Sequence, residues 1–255
     1  PHRDDEKWRF SDTRSLSLDG YAPAPAPTAA QAAELIARSR LISDAAGLIV
    51  HVDGHCVLKP TLAPELIAQG VVFESLEDAV RARPALLQAH LLKHPVTLGG
   101  DKFAALHRAW LRAGYVLHVP KGVEVKQPFV SVTWTLTEGV AVFPHTLVVA
   151  GENARISVVE YFGSGSDEEN QLAIGANDLY AGHGAQVTYV GKQDWSHRAL
   201  ALQSNSTVVR RDARVQSLNL HLGGRQVRHE SLSQLQAPGA FSEMLSLSVD
   251  HGEQE

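Results

Sequence analysis

The sequence predicts a mainly β protein in which a parallel β-helix core follows a smaller, mostly helical N-terminal domain. Three observations support this fold class. A corner followed by a small residue recurs through the second half of the chain, no segment of ten residues after Tyr115 has helical periodicity, and β-branched residues dominate there. Amphipathic helical segments are confined to the first half. We therefore predict two domains, 1–114 and 115–255, with a boundary near Gly114.

The N-terminal segments begin with an extended spacer. YAPAPAPTAA, residues 21–30, is rich in proline and alanine and should run extended. Thr28 is expected to cap a helix over QAAELIARSR, with Ala33, Ile36 and Ala37 on its apolar face. LIVHVDGHCVLKP, from Leu48, alternates around Asp53-Gly54 and predicts a hairpin with a primed turn.

Two more helices are predicted before the boundary. SLEDAVRARPALLQAHLLK has Ser75 as its cap and a break at Pro84. DKFAALHRAWLRAG is expected to start at an Asp101 cap and to stop at Gly114. Its predicted apolar stripe is Phe103, Leu106, Trp110 and Leu111.

The second half repeats with a nearly constant period. An alanine follows each predicted corner at positions 154, 185, 213 and 240, and Lys121-Gly122 forms an earlier corner of the same kind. Each unit has room for two short strands, and equivalent strands that stack on one another form a parallel β-helix. The small alanine fits a position where stacked corners crowd together. The alternative, an antiparallel sandwich, has turns every 8–12 residues and remains open from the sequence alone.

Alternation predicts which strand residues face the interior of the β-helix. Ile156 and Val158 should point inward, as should Val187 and Tyr189. After Ala213 the apolar set slips by one place, to Leu218, Leu220 and Leu222, which predicts a bulge.

One cluster in the N-terminal half carries residue types that bind metals. His51, Asp53 and His55 alternate onto one face beside Cys56, and such side chains build zinc sites. A hairpin that uses Asp53-Gly54 as its turn explains the same residues without a metal, and we favour that interpretation.

The repeat half presents no catalytic constellation. Five of its histidines lack HxxxH or HExxH spacing, although separated histidines can meet on a β-helix: His183, His197, His221, His229 and His251. The segment Gly163-Ser164-Gly165, followed by Asp167, Glu168 and Glu169, lacks a phosphate-binding pattern and predicts a mobile acidic loop. We therefore assign no catalytic, cofactor-binding or metal-ligating residue.

Composition excludes several classes of function. The net charge of −5 gives no basic excess for binding nucleic acid. No apolar run approaches the ~20 residues that span a bilayer, and PHRDDEKWRF has no signal-peptide apolar region. Cys56 is the single cysteine, so this chain cannot form an internal disulfide or an all-thiolate iron–sulfur site. These features predict a soluble, intracellular and acidic protein.

Three stretches together resemble one family. DDEKWRFSDTRSL near the start, HVPKGVEVKQPFVS from His118, and HTLVVAGENARISVVEYFGS from His145 with the final HGEQE are similar to segments of the SufB/SufD family. These proteins are scaffolds of the SUF iron–sulfur cluster assembly system. The WRF-type start and the poverty in cysteine favour the SufD branch.

The resemblance implies a right-handed parallel β-helix and a non-catalytic scaffold role. It implies pairing with SufB-like and SufC-like subunits in a cytoplasmic complex. No cofactor is expected in this chain, since the iron–sulfur cluster and ATP would be handled on partner subunits. Family members continue past Glu255, so the chain is expected to be a fragment that stops in mid-rung, and no interface residue of the family falls within it.

Two other functions stay open. A polysaccharide-acting β-helix enzyme would need a charged groove, for which five arginines offer basic charge: Arg210, Arg211, Arg214, Arg225 and Arg228. A plain interaction module would self-associate through the open end of the β-helix, because unpaired strand groups invite association.

Overall fold

The computed structural model describes residues 6–8, 16–96, 98 and 100–249. Within them the helices are a 3-10 turn at Glu6–Trp8 and α1 (Ala29–Arg38), α2 (Pro64–Ala68), α3 (Leu76–Ala82), α4 (Pro84–His90) and α5 (Asp101–Trp110). HGEQE and His251 lie outside the described residues, as does most of DDEKWRFSDTRSL.

The described part contains fourteen strands. They are β1 (Gly47–Val52), β2 (His55–Leu58), β3 (Val72–Ser75), β4 (Ala113–Val119), β5 (Phe129–Thr135), β6 (Val140–Val142), β7 (Pro144–Ala150), β8 (Arg155–Ser164), β9 (Gln171–Ala181), β10 (Gln186–Asp194), β11 (Leu200–Val209), β12 (Arg214–His221), β13 (Gln226–Leu235) and β14 (Phe241–Ser248).

The strands form two sheets between which the chain alternates. Sheet I has the order β2-β1-β5-β8-β10-β12-β14, and sheet II has the order β3-β4-β7-β9-β11-β13 with β6 paired to β9. Neighbouring strands are parallel except in the pairs β1–β2 and β3–β4. This is a parallel β-solenoid of about five turns with a small helical N-terminal part, which confirms the predicted fold class.

The predicted corners are stacked in register. Ala154, Ala185 and Ala213 are fully buried, and each precedes a strand of sheet I that pairs residue by residue with the next. Each alanine N–H donates to the carbonyl oxygen three residues earlier, at 3.0–3.2 Å. The residue before each alanine has a positive φ, which suits Gly, Asn and Asp: Asn153 (56°), Gly184 (64°), Asp212 (56°) and Gly239 (75°).

A larger side chain at a stacked corner should destabilise the fold. Ala185 has no exposed surface, so we expect Ala185→Leu to cost about 1–3 kcal/mol through overpacking. Ala240 precedes β14 and is half-buried, so Ala240→Leu is the matched control and should cost less. Urea unfolding followed by circular dichroism measures both. Equal losses in the two variants would contradict the stacking of the corners.

The interior follows the predicted alternation in two of the strands but not in β12. Val158 and Tyr189 are buried, as predicted. β12 pairs with β10 without a register shift over its whole length, so the predicted bulge is wrong. Asn219 faces the interior, whereas Leu218 and Leu220 lie half-buried on the outer face. The leucines of β12 lie on its outer face because polar residues occupy its inward positions.

α1 covers part of the outer face of sheet I. Thr28 caps it and forms a capping box with Gln31, as the sequence predicts for the cap. The buried side chain is Leu35, which packs against residues of β1 and β5. The buried face of α1 is centred on Leu35. The prediction that Ala33 and Ala37 lie on that face is therefore wrong, because both residues are exposed.

The remaining N-terminal elements follow the predictions in part. Ser75 caps α3, and the helix breaks before Pro84, as predicted. α5 begins at Asp101, but Gly100 occupies the cap position without a side-chain hydrogen bond. The helix ends at Trp110, and Gly114 lies inside β4, so its predicted role as the helix stop is wrong. α2 and β3 were not predicted, because both are very short.

The predicted hairpin is built into the sheets. β1 pairs in parallel with β5 and so extends sheet I, whereas β3 pairs antiparallel with β4 and so extends sheet II. Division of the chain at Gly114 stays a prediction.

Candidate functional site

The structure confirms the hairpin and its primed turn. β1 and β2 are antiparallel, and φ is 49° at Asp53 and 84° at Gly54. The buried Asp53 carboxylate accepts hydrogen bonds from the Leu136 N–H at 2.7 Å and the Thr137 hydroxyl at 2.6 Å. Asp53 therefore anchors the loop that follows β5.

The other three residues of this cluster contact different backbone segments. His51 hydrogen-bonds the backbone of Gly114, His55 Nε2 lies 3.0 Å from the Ala24 carbonyl oxygen, and Cys56 bonds the carbonyl oxygen of Leu58. Burial lowers the pKa of His51 to about 4 and raises the pKa of the Cys56 thiol to about 11. Both groups are neutral near pH 7.

No group of three His, Cys, Asp or Glu side chains among the described residues could hold a metal ion. His183 is exposed at a corner, 3.9 Å from the Asp212 carboxylate. His221 Nε2 lies 3.0 Å from His229 Nδ1, so two of the separated histidines meet across the interior, which the sequence left open as a possibility. Burial lowers the pKa of His229 to about 4, and repulsion from His221 adds to the effect.

The acidic loop joins β8 to β9. Asp167 and Glu168 are exposed, and Glu168 lies 3.6 Å from the Arg198 guanidinium. Ser164 is buried, and its hydroxyl oxygen accepts the Ser196 N–H at 2.8 Å. Ser164 therefore ties the end of β8 to the loop between β10 and β11, and the mobility of the acidic loop stays a prediction.

Two of the five arginines considered for a groove, Arg214 and Arg228, lie on different sheets. Arg214 covers the Phe241 ring at 4.1 Å on sheet I, whereas Arg228 stacks 3.9 Å above the Trp8 ring on sheet II. Because these two point away from each other, they cannot line one groove.

The first polar cluster that the sequence did not reveal surrounds Glu160, inside the solenoid. Glu160 is 1% exposed. Its carboxylate accepts hydrogen bonds from Thr146 and Tyr189 and from the Asn177 amide. Burial raises the pKa of Glu160, and the donors offset part of that effect. Burial, and next the nearby Glu160 carboxyl, raise the pKa values of the Tyr115 and Tyr189 hydroxyls well above the usual range of a tyrosine.

Amide side chains continue this network along the interior. Gln203 donates to Asn177 and to Asn205, each at 2.8 Å, and Asn205 lies 3.5 Å from Asn219. A cavity of about 30 Å³ next to these amides is also lined by His221 and His229. The interior of the later turns is therefore polar and hydrogen-bonded, which agrees with the outward position of the β12 leucines.

A second missed cluster lies beneath α5 on the outer face of sheet II. His107 Nε2 is 3.1 Å from His145 Nδ1, and His145 Nε2 is 3.2 Å from Asp178 Oδ2. His107 and His145 are each 1% exposed and Asp178 is 4% exposed. The Leu92 N–H donates to Asp178 at 2.6 Å. We call His107, His145 and Asp178 the imidazole chain.

A sequence signal existed for only one of these clusters. Glu160 follows Ile156 and Val158 in the same inward alternation, so its burial could have been predicted. The imidazole chain joins α5, β7 and β9, and the distances along the sequence give no hint of that contact.

The fold and these clusters define a parallel β-solenoid protein that buries two clusters of ionisable side chains, one inside the solenoid and one beneath α5. In the part of the chain that is described, no helix is long and apolar enough to span a membrane. Residues 45–130 match the model of the SufBD protein N-terminal region, and residues 133–255 match that of the SUF system FeS cluster assembly SufBD core domain. The chain belongs to the SufB/SufD family.

Individual relatives agree with this assignment. The iron–sulfur cluster assembly protein SufD of Bacillus subtilis is 27% identical over 196 residues, which cover 76% of this chain and 45% of the relative. SufB of the same organism is 25% identical over 193 residues, covering 76% and 41%. A SufBD family protein of Synechocystis sp. is 24% identical over 269 residues, covering all of this chain and 57% of the relative. The chain spans less than half the length of the two Bacillus relatives.

Proposed function

We propose that this protein is a SufD-type, non-catalytic scaffold subunit of a SUF iron–sulfur cluster assembly complex that pairs with SufB-like and SufC-like subunits. The observation that carries the proposal is that both SufBD family models match this chain, over residues 45–130 and 133–255. The strands in these two regions belong to the same two sheets of the β-solenoid. The names of the Bacillus relatives describe assembly proteins.

The polar clusters support a structural role for this subunit. Glu160 and the imidazole chain have at most 4% of their surface exposed, so a substrate in solution does not reach them. Parallel pairing along both sheets gives a stiff body on which partner subunits can be held at fixed positions. The cluster would be cargo of the assembled complex, and ATP would be bound by the SufC-like partner in the cytoplasm.

Co-expression with affinity-tagged SufB-like and SufC-like subunits tests the proposal. We expect the full-length protein to be retained with both partners through size-exclusion chromatography, and not with the tag alone. Folded protein that elutes without either partner would overturn the pairing.

Self-association is the second candidate, because β14 carries exposed apolar side chains at Leu245 (55% exposed) and Leu247 (53% exposed). A homodimer that retains no partner would favour it.

A further inference from the structure

The outer face of sheet I carries an apolar row that continues well past α1. Its strands from β1 to β14 are parallel and in register here, so every second residue lies beside its equivalents on the neighbouring strands. One such row consists of Leu48, Val130, Val159, Val190, Leu218 and Leu245. The outer face therefore presents an unbroken line of aliphatic side chains across six strands.

A second row runs beside the first, two residues further along each strand. It consists of Val50, Val132, Tyr161, Lys192, Leu220 and Leu247. Its charged member, Lys192, has its ammonium 5.2 Å from the centre of the Tyr161 ring and 3.2 Å from the Asp194 carboxylate. The aliphatic stem of Lys192 therefore stays in the row while its charge lies at the edge. We call the parts of both rows on β8, β10, β12 and β14 the apolar stripe.

α1 shows what covers this kind of surface. On β1 and β5, where α1 packs, Val50, Val130 and Val132 are at most 1% exposed. On β14, Leu245 is 55% exposed and Leu247 is 53% exposed. The same two rows are therefore buried under a helix at one end and open at the other.

The size of the apolar stripe fits one more helix better than a second copy of this protein. Four strands span about 15–20 Å, and the two rows are about 7 Å apart. This gives an area on the order of 200–300 Å², well below the roughly 800 Å² that each partner of a stable dimer buries. A helix of about 12 residues is about 18 Å long and has an apolar face of similar width. Each other α-helix of the described residues packs against sheet II or the interior.

We propose that the apolar stripe is the docking site of an amphipathic helix from a separate protein, which lies across β8, β10, β12 and β14. Apolar contacts hold this helix, because the charges beside the stripe cancel: Arg155 and Arg214 lie there with Glu124 and Glu243. Binding should therefore weaken by less than about twofold when the salt concentration rises from about 0.05 M to about 0.3 M. The site goes beyond the proposed scaffold role, because it does not depend on the SufB-like or SufC-like partners.

Fluorescence anisotropy with a labelled model helix tests this docking site on the full-length protein. The probe is a peptide of about 14 residues with leucines at i, i+3, i+4 and i+7 and with balanced glutamates and lysines elsewhere. A scrambled peptide of the same composition is its control. We expect a Kd of about 10–100 μM for the probe and binding at least about tenfold weaker for the scrambled peptide. Equal binding of the two peptides would overturn the proposal. So would the absence of binding because a later segment of the full-length chain covers the stripe.

Two leucine variants locate the binding on the stripe. Leu218→Glu and Leu245→Glu each place a charge within it and should weaken binding of the probe at least about tenfold. Leu245 is more than half exposed, so its variant keeps the test valid even if Leu218→Glu does not fold. Thr188→Glu is the matched control, because Thr188 is exposed on the same face outside the stripe, and it should change binding less than about twofold. Unchanged binding in both leucine variants would contradict the docking site. A homodimer that Leu245→Glu dissociates would assign the stripe to a second copy and would also overturn it.

Discussion

Gly114→Ala should abolish the stable fold, with a loss in the free energy of unfolding of more than about 4 kcal/mol. Gly114 lies in β4 with φ of +133°, and a Cβ there would sit 1.9 Å from the carbonyl oxygen of His145 in β7. Both partners are backbone atoms of paired strands, so neither can move without breaking the ladder between β4 and β7. The same shift would displace His145 from the imidazole chain.

Gly54→Ala is the matched control for this substitution. Gly54 also has a positive φ, +84°, but a Cβ there would meet no atom within 4 Å. Its cost should be limited to the backbone conformation, about 1–2 kcal/mol. Thermal unfolding and the yield of soluble protein compare the two variants. Equal stability of Gly114→Ala and Gly54→Ala would contradict the close approach of β4 and β7.

Glu160→Ala should cost about 3–5 kcal/mol, because it removes the acceptor of a buried hydrogen-bonded cluster. Thr146, Tyr189 and Asn177 would each keep a donor without its partner inside the solenoid. Urea unfolding at pH 5 measures this loss. A low pH is chosen because burial raises the pKa of Glu160, so the folded protein is more stable there than at higher pH. A loss below about 1 kcal/mol would show that the cluster is not enclosed.

Glu160→Gln keeps the volume of the side chain and removes its charge. Because burial raises the folded-state pKa of Glu160, its contribution to stability is fully present below the ordinary value and is lost as the pH rises through the folded-state pKa. The free energy of unfolding of the wild-type protein should therefore decrease as the pH rises above the ordinary pKa of a glutamate. Glu160→Gln should make the free energy of unfolding depend less on pH. A steeper slope in the variant would contradict the assignment.

The repeat was predictable because crowding at a corner restricts the sequence locally. Ala154, Ala185 and Ala213 mark positions where only a small side chain fits, and the Gly, Asn or Asp before each one marks the positive φ. The positive φ and the small residue occupy adjacent positions at each of these corners, so a single sequence displays them. The right-handed sense of the β-helix and the SufD branch stay predictions that rest on the resemblance.

Several predictions failed where tertiary contacts decide the outcome. Leu218 and Leu220 were assigned inward because apolar residues usually face a core, but a polar interior reverses that preference in β12. α1 uses Leu35 as its centre because the outer face of sheet I offers a complementary apolar surface there. His107 and His145 are 38 residues apart, and only the docking of α5 on sheet II brings them together.

Disulfide cross-linking between β10 and β12 tests the stacked parallel architecture most directly. In a Cys56→Ser background, the account predicts rapid cross-links for Gln186→Cys with Arg214→Cys and for Thr188→Cys with Gln216→Cys, because these pairs are in register on one exposed face. The crossed pairs, 186 with 216 and 188 with 214, should not cross-link. Efficient cross-links in the crossed pairs instead would mean antiparallel strands, and the stacked solenoid would be wrong.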